Sequence, residues 1–297
     1  MKKMLCFAAT VCMFFASCTK GTENTTPEPE VAKIPINLSI GKWTRANDAT
    51  FDSGDKVGIY VVNYNGSAAG TLVASGNHVD NMLFTYGGGK WTPAEDIYWK
   101  DQTTKTDIYA YYPYGTPDNI RSYAFDVEAD QSAEAAYWAS DFLWGKATGV
   151  SPTESAVPVT THHSFSNALI YVVPGDGFDA GDLADANIEV KLCNVKTGAT
   201  IDLTTGVATV TGSATEITPW YTGEYYRAMV VPQTVADGKN LVTVKANGVT
   251  YTYAKGMTFK ANTQHKLTIT VNKTSNGVNV GIGGWESDDE DYGGSAE

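Results

Sequence analysis

Few residues of this 297-residue chain are of a type and spacing that could do chemistry, and the cysteines come first. A thiol can be acylated, oxidised or used as a nucleophile, and its surroundings decide which. Cys18 ends the run Phe14-Phe15-Ala16-Ser17-Cys18 and is followed at once by Thr19-Lys20-Gly21. Behind it lie a short positive region, Lys2 and Lys3, and an apolar stretch from Met4 to Ala16 that is too short to span a bilayer. Small residues directly before a cysteine match the lipobox, where the signal is cut away and the new N-terminal thiol is acylated. Phe15 stands where that motif usually carries Leu. Cys193 sits in the alternating run Ile188-Glu189-Val190-Lys191-Leu192-Cys193-Asn194-Val195 and reads as a buried structural thiol. Removing residues 1–17 and acylating Cys18 would leave Cys193 with no disulfide partner.

The remaining candidates point away from catalysis. His162 and His163 are adjacent, and neighbouring strand residues face opposite ways, so they make a poor chelating pair. The acidic run Glu286 to Asp291 lacks the glycine and the spacing of a calcium loop and reads as a solvated tail. Neither a Gly-x-Ser-x-Gly elbow nor a phosphate-binding glycine loop occurs. No catalytic residue, metal or cofactor is therefore expected. Paired carboxylates for glycoside hydrolysis assemble from distant strands, and nothing in the sequence singles a pair out. The aromatics Trp91, Trp99, Tyr109, Tyr111, Tyr112 and Tyr114 suit either a sugar-stacking platform or cross-strand packing in a core. The platform would make the chain a monomeric glycan-binding surface lipoprotein of the outer membrane, which is the second reading. A hydrolase of surface polymers is a distant third.

The formal charge of −12 repels phosphate backbones and disfavours nucleic-acid partners. A hydrophobic share of 42% is enough for a packed core. Residues 18–33 are rich in Thr, Pro and Glu and predict a flexible tether. No other segment is apolar over the length of a membrane span, so any membrane attachment is expected to be by lipid alone. Ile34, Ile36, Leu38 and Ile40 recur at every second position, the pattern of a strand with one buried face. Pro35 cannot donate to a ladder, which places that strand at an edge. Gly87-Gly88-Gly89 and Asn247-Gly248 signal hairpins. Ser132 to Trp144 is the best helix candidate, with Ser132 as its cap. Short strands at regular spacing with so little helix predict an all-β chain of two β-sandwich domains. Their expected extents are 34–163 and 164–297, the latter ending in a Val-rich strand at 277–285 and an acidic tail.

The order and spacing of several motifs resemble the fimbrillin family, the lipoprotein pilins of Bacteroides-type fimbriae. The matching features are the lipobox cysteine and tether, Trp43-Thr44-Arg45-Ala46, Phe51-Asp52-Ser53-Gly54-Asp55-Lys56-Val57-Gly58-Ile59-Tyr60, and Tyr98-Trp99. Tyr109-Ala110-Tyr111-Tyr112-Pro113-Tyr114, Asp141-Phe142-Leu143-Trp144-Gly145, His163-Ser164-Phe165-Ser166-Asn167-Ala168-Leu169 and the strand ending at Trp285 complete the set. The resemblance implies two sandwich domains of transthyretin-like topology in a structural fimbrial subunit. It also implies a trypsin-like, arginine-specific protease that cuts between Arg45 and Ala46 and releases the strand of Ile34, Ile36, Leu38 and Ile40. A neighbour's C-terminal strand, carrying Val278, Val280 and Ile282, would refill the groove. The implied partners are other fimbrial subunits, identical or not, and a host or bacterial surface receptor for adhesion. The residues suit this physically: four apolar positions, at roughly 1.5–3 kcal/mol each, put an open groove on the order of 6–12 kcal/mol above a filled one. The exchange is head-to-tail and does not close, so it propagates into a fibre.

Overall fold

The computed structural model describes residues 33–42, 51–178, 181, 183, 187–274 and 277–282. Strands carry almost all of the regular structure. The first half holds β1 (Leu38–Lys42), β2 (Lys56–Asn63), β3 (Val79–Gly87), β4 (Lys90–Pro93), β5 (Thr106–Tyr112) and β6 (Tyr123–Asp126). After a helix, α1 (Glu134–Ala139), come β7 (Leu143–Val150) and β8 (Val157–His163). The second half holds β9 (Ser166–Pro174), β10 (Ile188–Val195), β11 (Gly198–Asp202), β12 (Val207–Thr211), β13 (Thr215–Ile217), β14 (Trp220–Tyr221) and β15 (Tyr226–Val230). It continues through β16 (Gln233–Val235), β17 (Val242–Ala246), β18 (Val249–Tyr253), β19 (Met257–Phe259), β20 (Thr263–Thr274) and β21 (Gly277–Ile282). The all-β expectation is met.

A seven-stranded sheet in the order β1-β8-β7-β5-β2-β3-β4 builds the first half. Its central strands bury both faces, so they read as apolar runs rather than alternations. On β2, Val57, Ile59 and Val61 enter one cluster, while Tyr60 and Val62 enter another. On β5, Ile108 and Ala110 join the first cluster, and Tyr109 and Tyr111 the second. Gly58 is needed here, because a Cβ would lie 2.1 Å from the Tyr111 ring that crosses it. The triple glycine turns β3 into β4, with Gly88 and Gly89 at φ 58° and 79°. Asn247-Gly248, at φ 50° and 82°, gives the primed turn expected between β17 and β18.

In the second half, the sheets β13-β10-β17-β18 and β14-β15-β9-β20-β21 share one apolar cluster, including Val190, Leu192, Val244, Ile170, Val230 and Ile269. Tyr60, Tyr109, Tyr111 and Phe142 of the first half belong to that same cluster. Chain order and sheet membership also interleave between residues 123 and 139. β6 pairs with β11, Phe125 lying opposite Ala199. Gln131, fully buried, donates through Nε2 to the Met229 carbonyl at 2.9 Å and accepts from the Met229 amide at 2.8 Å.

The helix differs from its expected extent. It covers only Glu134–Ala139, its N-cap is Ala133, and no side chain caps it. Trp144 belongs instead to β7, opposite His162, with its indole donating to the Leu203 carbonyl at 2.7 Å. Strand pairing and an indole partner outweigh the weak helix propensity of that stretch. No helix of the described residues is long and apolar enough to cross a membrane.

Candidate functional site

The site is the seam in which the front segment, residues 34–42, is seated. β1 forms one edge of the seven-stranded sheet, as Pro35 predicts, and pairs in parallel with β8, Leu38 opposite Val157 and Ile40 opposite Val159. Neighbouring backbone is engaged on the other side. The Ile36 amide donates to the Ile97 carbonyl at 2.9 Å, and the Trp99 amide to the Ile34 carbonyl at 2.9 Å. The Trp91 indole, on the opposite edge strand β4, donates to the Ile40 carbonyl at 3.0 Å. The sheet thus rolls until its two edges meet across the front segment.

Ile36, Leu38 and Ile40 are 2%, 6% and 5% exposed, and Ile34 packs half-buried beside them. Their cluster includes Phe51, Val57, Ile59, Phe84, Trp91, Ile97, Trp99 and Leu143. Three nearly complete burials at roughly 1.5–3 kcal/mol each hold the segment by about 5–9 kcal/mol of apolar transfer energy. The same residues, once uncovered, would leave an open apolar slot flanked by unpaired backbone groups.

Lys42 closes the segment over a nest of rings. Its ammonium is 4.6 Å from the Phe51 centroid and 5.6 Å from that of Tyr112. Phe51 meets Trp91 edge-on at 4.8 Å, and Trp91 lies 5.1 Å from Tyr86. The Tyr112 hydroxyl donates to Asp55 Oδ1 at 3.3 Å. Burial, reinforced by the Asp55 carboxylate, pushes the Tyr112 hydroxyl well above its ordinary value.

The sequence-predicted residues fall into three groups. Ile34, Ile36, Leu38 and Ile40 come together in the seam. Cys18, Arg45 and Ala46 lie outside the described residues. Val278, Val280 and Ile282 lie on β21, paired antiparallel to β20 in the same chain, opposite Lys273, Val271 and Ile269. β21 is the edge of the five-stranded sheet, so within one chain the two terminal strands occupy different sheets.

Several aromatics prove to be core. Trp91, Trp99, Tyr109 and Tyr111 are buried, and Tyr112 and Tyr114 half-buried, so these rings do not form an exposed platform for a sugar. Burial lowers the His162 imidazole below its ordinary value, with His163 adding to the effect, while His163 Nδ1 meets Asp141 at 2.8 Å. Among the described residues no group of three His, Cys, Asp or Glu is placed to hold a metal. Cys193 is buried, and burial raises its thiol above the ordinary value. Sequence reasoning missed Lys42, Phe51, Trp91 and residues 97–99 as parts of the seam. Only the aromatic run around them was visible, since nothing in its spacing says which rings face β1.

Comparison with known proteins places this geometry. The fimbrillin-like family model matches residues 44–285. A Bacteroides uniformis protein named a candidate fimbrium subunit, Fim1C, is 27% identical over 300 residues, covering 96% of this chain and 95% of its own. A crystal structure of a candidate cell adhesion protein from Bacteroides uniformis matches with TM-score 0.61 at 25% identity, over 83% of this chain and 95% of that one. Another, from Bacteroides ovatus, matches with TM-score 0.65 at 20% identity, over 86% and 97%.

Proposed function

Because the chain belongs to the fimbrillin-like family, we propose that it is a structural, non-enzymatic subunit of a cell-surface fimbria, assembled with other fimbrial subunits in support of adhesion. The fimbrium-subunit name of its Bacteroides uniformis relative supports the same reading. The precursor is exported with residues 1–17 as a signal, acylated at Cys18 and tethered to the outer membrane. An arginine-specific, trypsin-like protease then cuts between Arg45 and Ala46. The segment carrying Ile34, Ile36, Leu38 and Ile40 leaves, and a neighbouring subunit's C-terminal strand takes its place.

One observation carries this reading: the front segment is an edge strand whose buried side chains plug a seam between two sheet edges. β21 is likewise an edge strand, its ladder made with β20 alone. Val278, Val280 and Ile282 repeat the two-residue apolar spacing of the segment they would replace.

The test is an N-terminal sequence of the protein recovered from surface fibres, together with its behaviour in sodium dodecyl sulfate. A chain beginning at Ala46 and running as a detergent-resistant ladder is expected. Arg45→Ala should abolish both. Fibres built from chains that still begin at Cys18, or a ladder that survives Arg45→Ala, would refute the proposal.

A further inference from the structure

The ring nest under Lys42 has a chemistry of its own. Phe51, which precedes β2, and Tyr112, which ends β5, both face the ammonium, while Tyr86 on β3 and Trp91 on β4 pack around Phe51 behind it. Phe51 lies 6.3 Å from Tyr86 and 5.7 Å from Tyr112, in addition to its edge-on contact with Trp91. Ring faces are electron-rich and attract cations, most strongly where water is excluded. Phe51 and Trp91 are each only 7% exposed. Asp55, bonded to the Tyr112 hydroxyl, adds a negative charge behind the rings.

We propose that this cage reads the last residue of whatever strand sits in the seam and accepts Lys or Arg. The replacing strand would then come from a non-identical subunit, with a basic residue two positions beyond its last buried apolar side chain, as Lys42 stands to Ile40. This inference rests on the strand-replacement reading above.

The chain's own C-terminal strand does not meet that requirement. Inserted in the same direction, with Val278, Val280 and Ile282 in the places of Ile36, Leu38 and Ile40, it brings Gly284 to the cage. Slid by two residues, into the places of Ile34, Ile36 and Leu38, it brings Glu286. A glycine leaves the cage empty, and a carboxylate faces electron-rich rings and Asp55. No Lys or Arg follows Lys273 in the sequence. A copy of this chain can fill the apolar slot, yet it leaves the cation site unsatisfied.

The experiment uses the chain nicked after Arg45 and fluorescent, C-terminally amidated peptides of residues 34–42. One peptide has the natural sequence, and the others carry Lys42→Arg, Lys42→Met or Lys42→Glu. Anisotropy reports entry into the seam. The natural and Lys42→Arg peptides should bind within about threefold of each other. Lys42→Met should bind about tenfold more weakly, and Lys42→Glu more weakly still. Equal binding of all four would overturn the cage while leaving strand replacement intact. No binding of any peptide would overturn strand replacement, and the cage proposal with it.

Discussion

Consider truncating Ile40 to alanine. Ile40 is 5% exposed, lies opposite Val159 on β8, and its carbonyl accepts the Trp91 indole. The substitution removes three buried carbons, worth about 0.8 kcal/mol each, or about 2.4 kcal/mol of transfer energy. A cavity term adds to this, because neighbours on both edges of the seam cannot collapse freely. The total falls at about 3–4 kcal/mol, inside the range of about 2–5 kcal/mol seen for such truncations. The backbone is unchanged, so the Trp91 hydrogen bond should persist. Equilibrium urea unfolding, followed by tryptophan fluorescence, measures the loss as a lowered midpoint with an unchanged slope. In a melt the loss should appear as a drop of at least about 6 °C, at about 2–4 °C per kcal/mol for a fold of this size. Ser39→Ala, on the exposed face of the same strand, is the control and should stay within about 0.5 kcal/mol. If Ile40→Ala behaved like Ser39→Ala, the front segment would not be a plug, and the seam would lose its significance.

Asp107 offers a pH test. It is buried and accepts hydrogen bonds from the Tyr64 hydroxyl at 2.9 Å and the Gly149 amide at 2.9 Å, with Lys146 at 2.9 Å. Burial alone would raise its carboxyl, but Lys146, the Gly149 amide and the Tyr64 hydroxyl outweigh it and hold the group below its ordinary value. A folded value below the unfolded one stabilises the fold above about pH 3.9, and the contribution fades as the pH falls through the folded value. Asp107→Asn should cost about 3 kcal/mol at neutral pH, the low end for a broken buried pair because Lys146 is 26% exposed. The gap between variant and wild type should close in acid; a gap that stayed constant down to pH 2 would refute the assignment. Cys193, buried with its thiol raised, should resist a disulfide-exchange reagent in the native protein and react fully in denaturant. Rapid native labelling would contradict its place on β10.

Local pattern in the sequence was enough for the strand character, the front strand's buried face, its edge position and the hairpins. Alternation at Ile36, Leu38 and Ile40 can only mean one buried face, Pro35 can donate to no ladder, and Gly88, Gly89 and Gly248 adopt backbone angles that most residues avoid. These are short-range constraints, written within a few neighbouring positions. Tertiary structure decided everything that depends on which surfaces meet. The helix candidate shrank to Glu134–Ala139 because Trp144 found a strand partner in His162 and an acceptor in Leu203. β6 and Gln131 joined the later half of the chain through partners at Ala199 and Met229, some seventy and a hundred residues away. The rolled sheet brought Trp91 to Ile40 and Phe51 and Tyr112 to Lys42, contacts between residues that no periodicity links. Burial and pairing at a distance are set by the closure of the whole sheet, and a linear pattern carries no record of it.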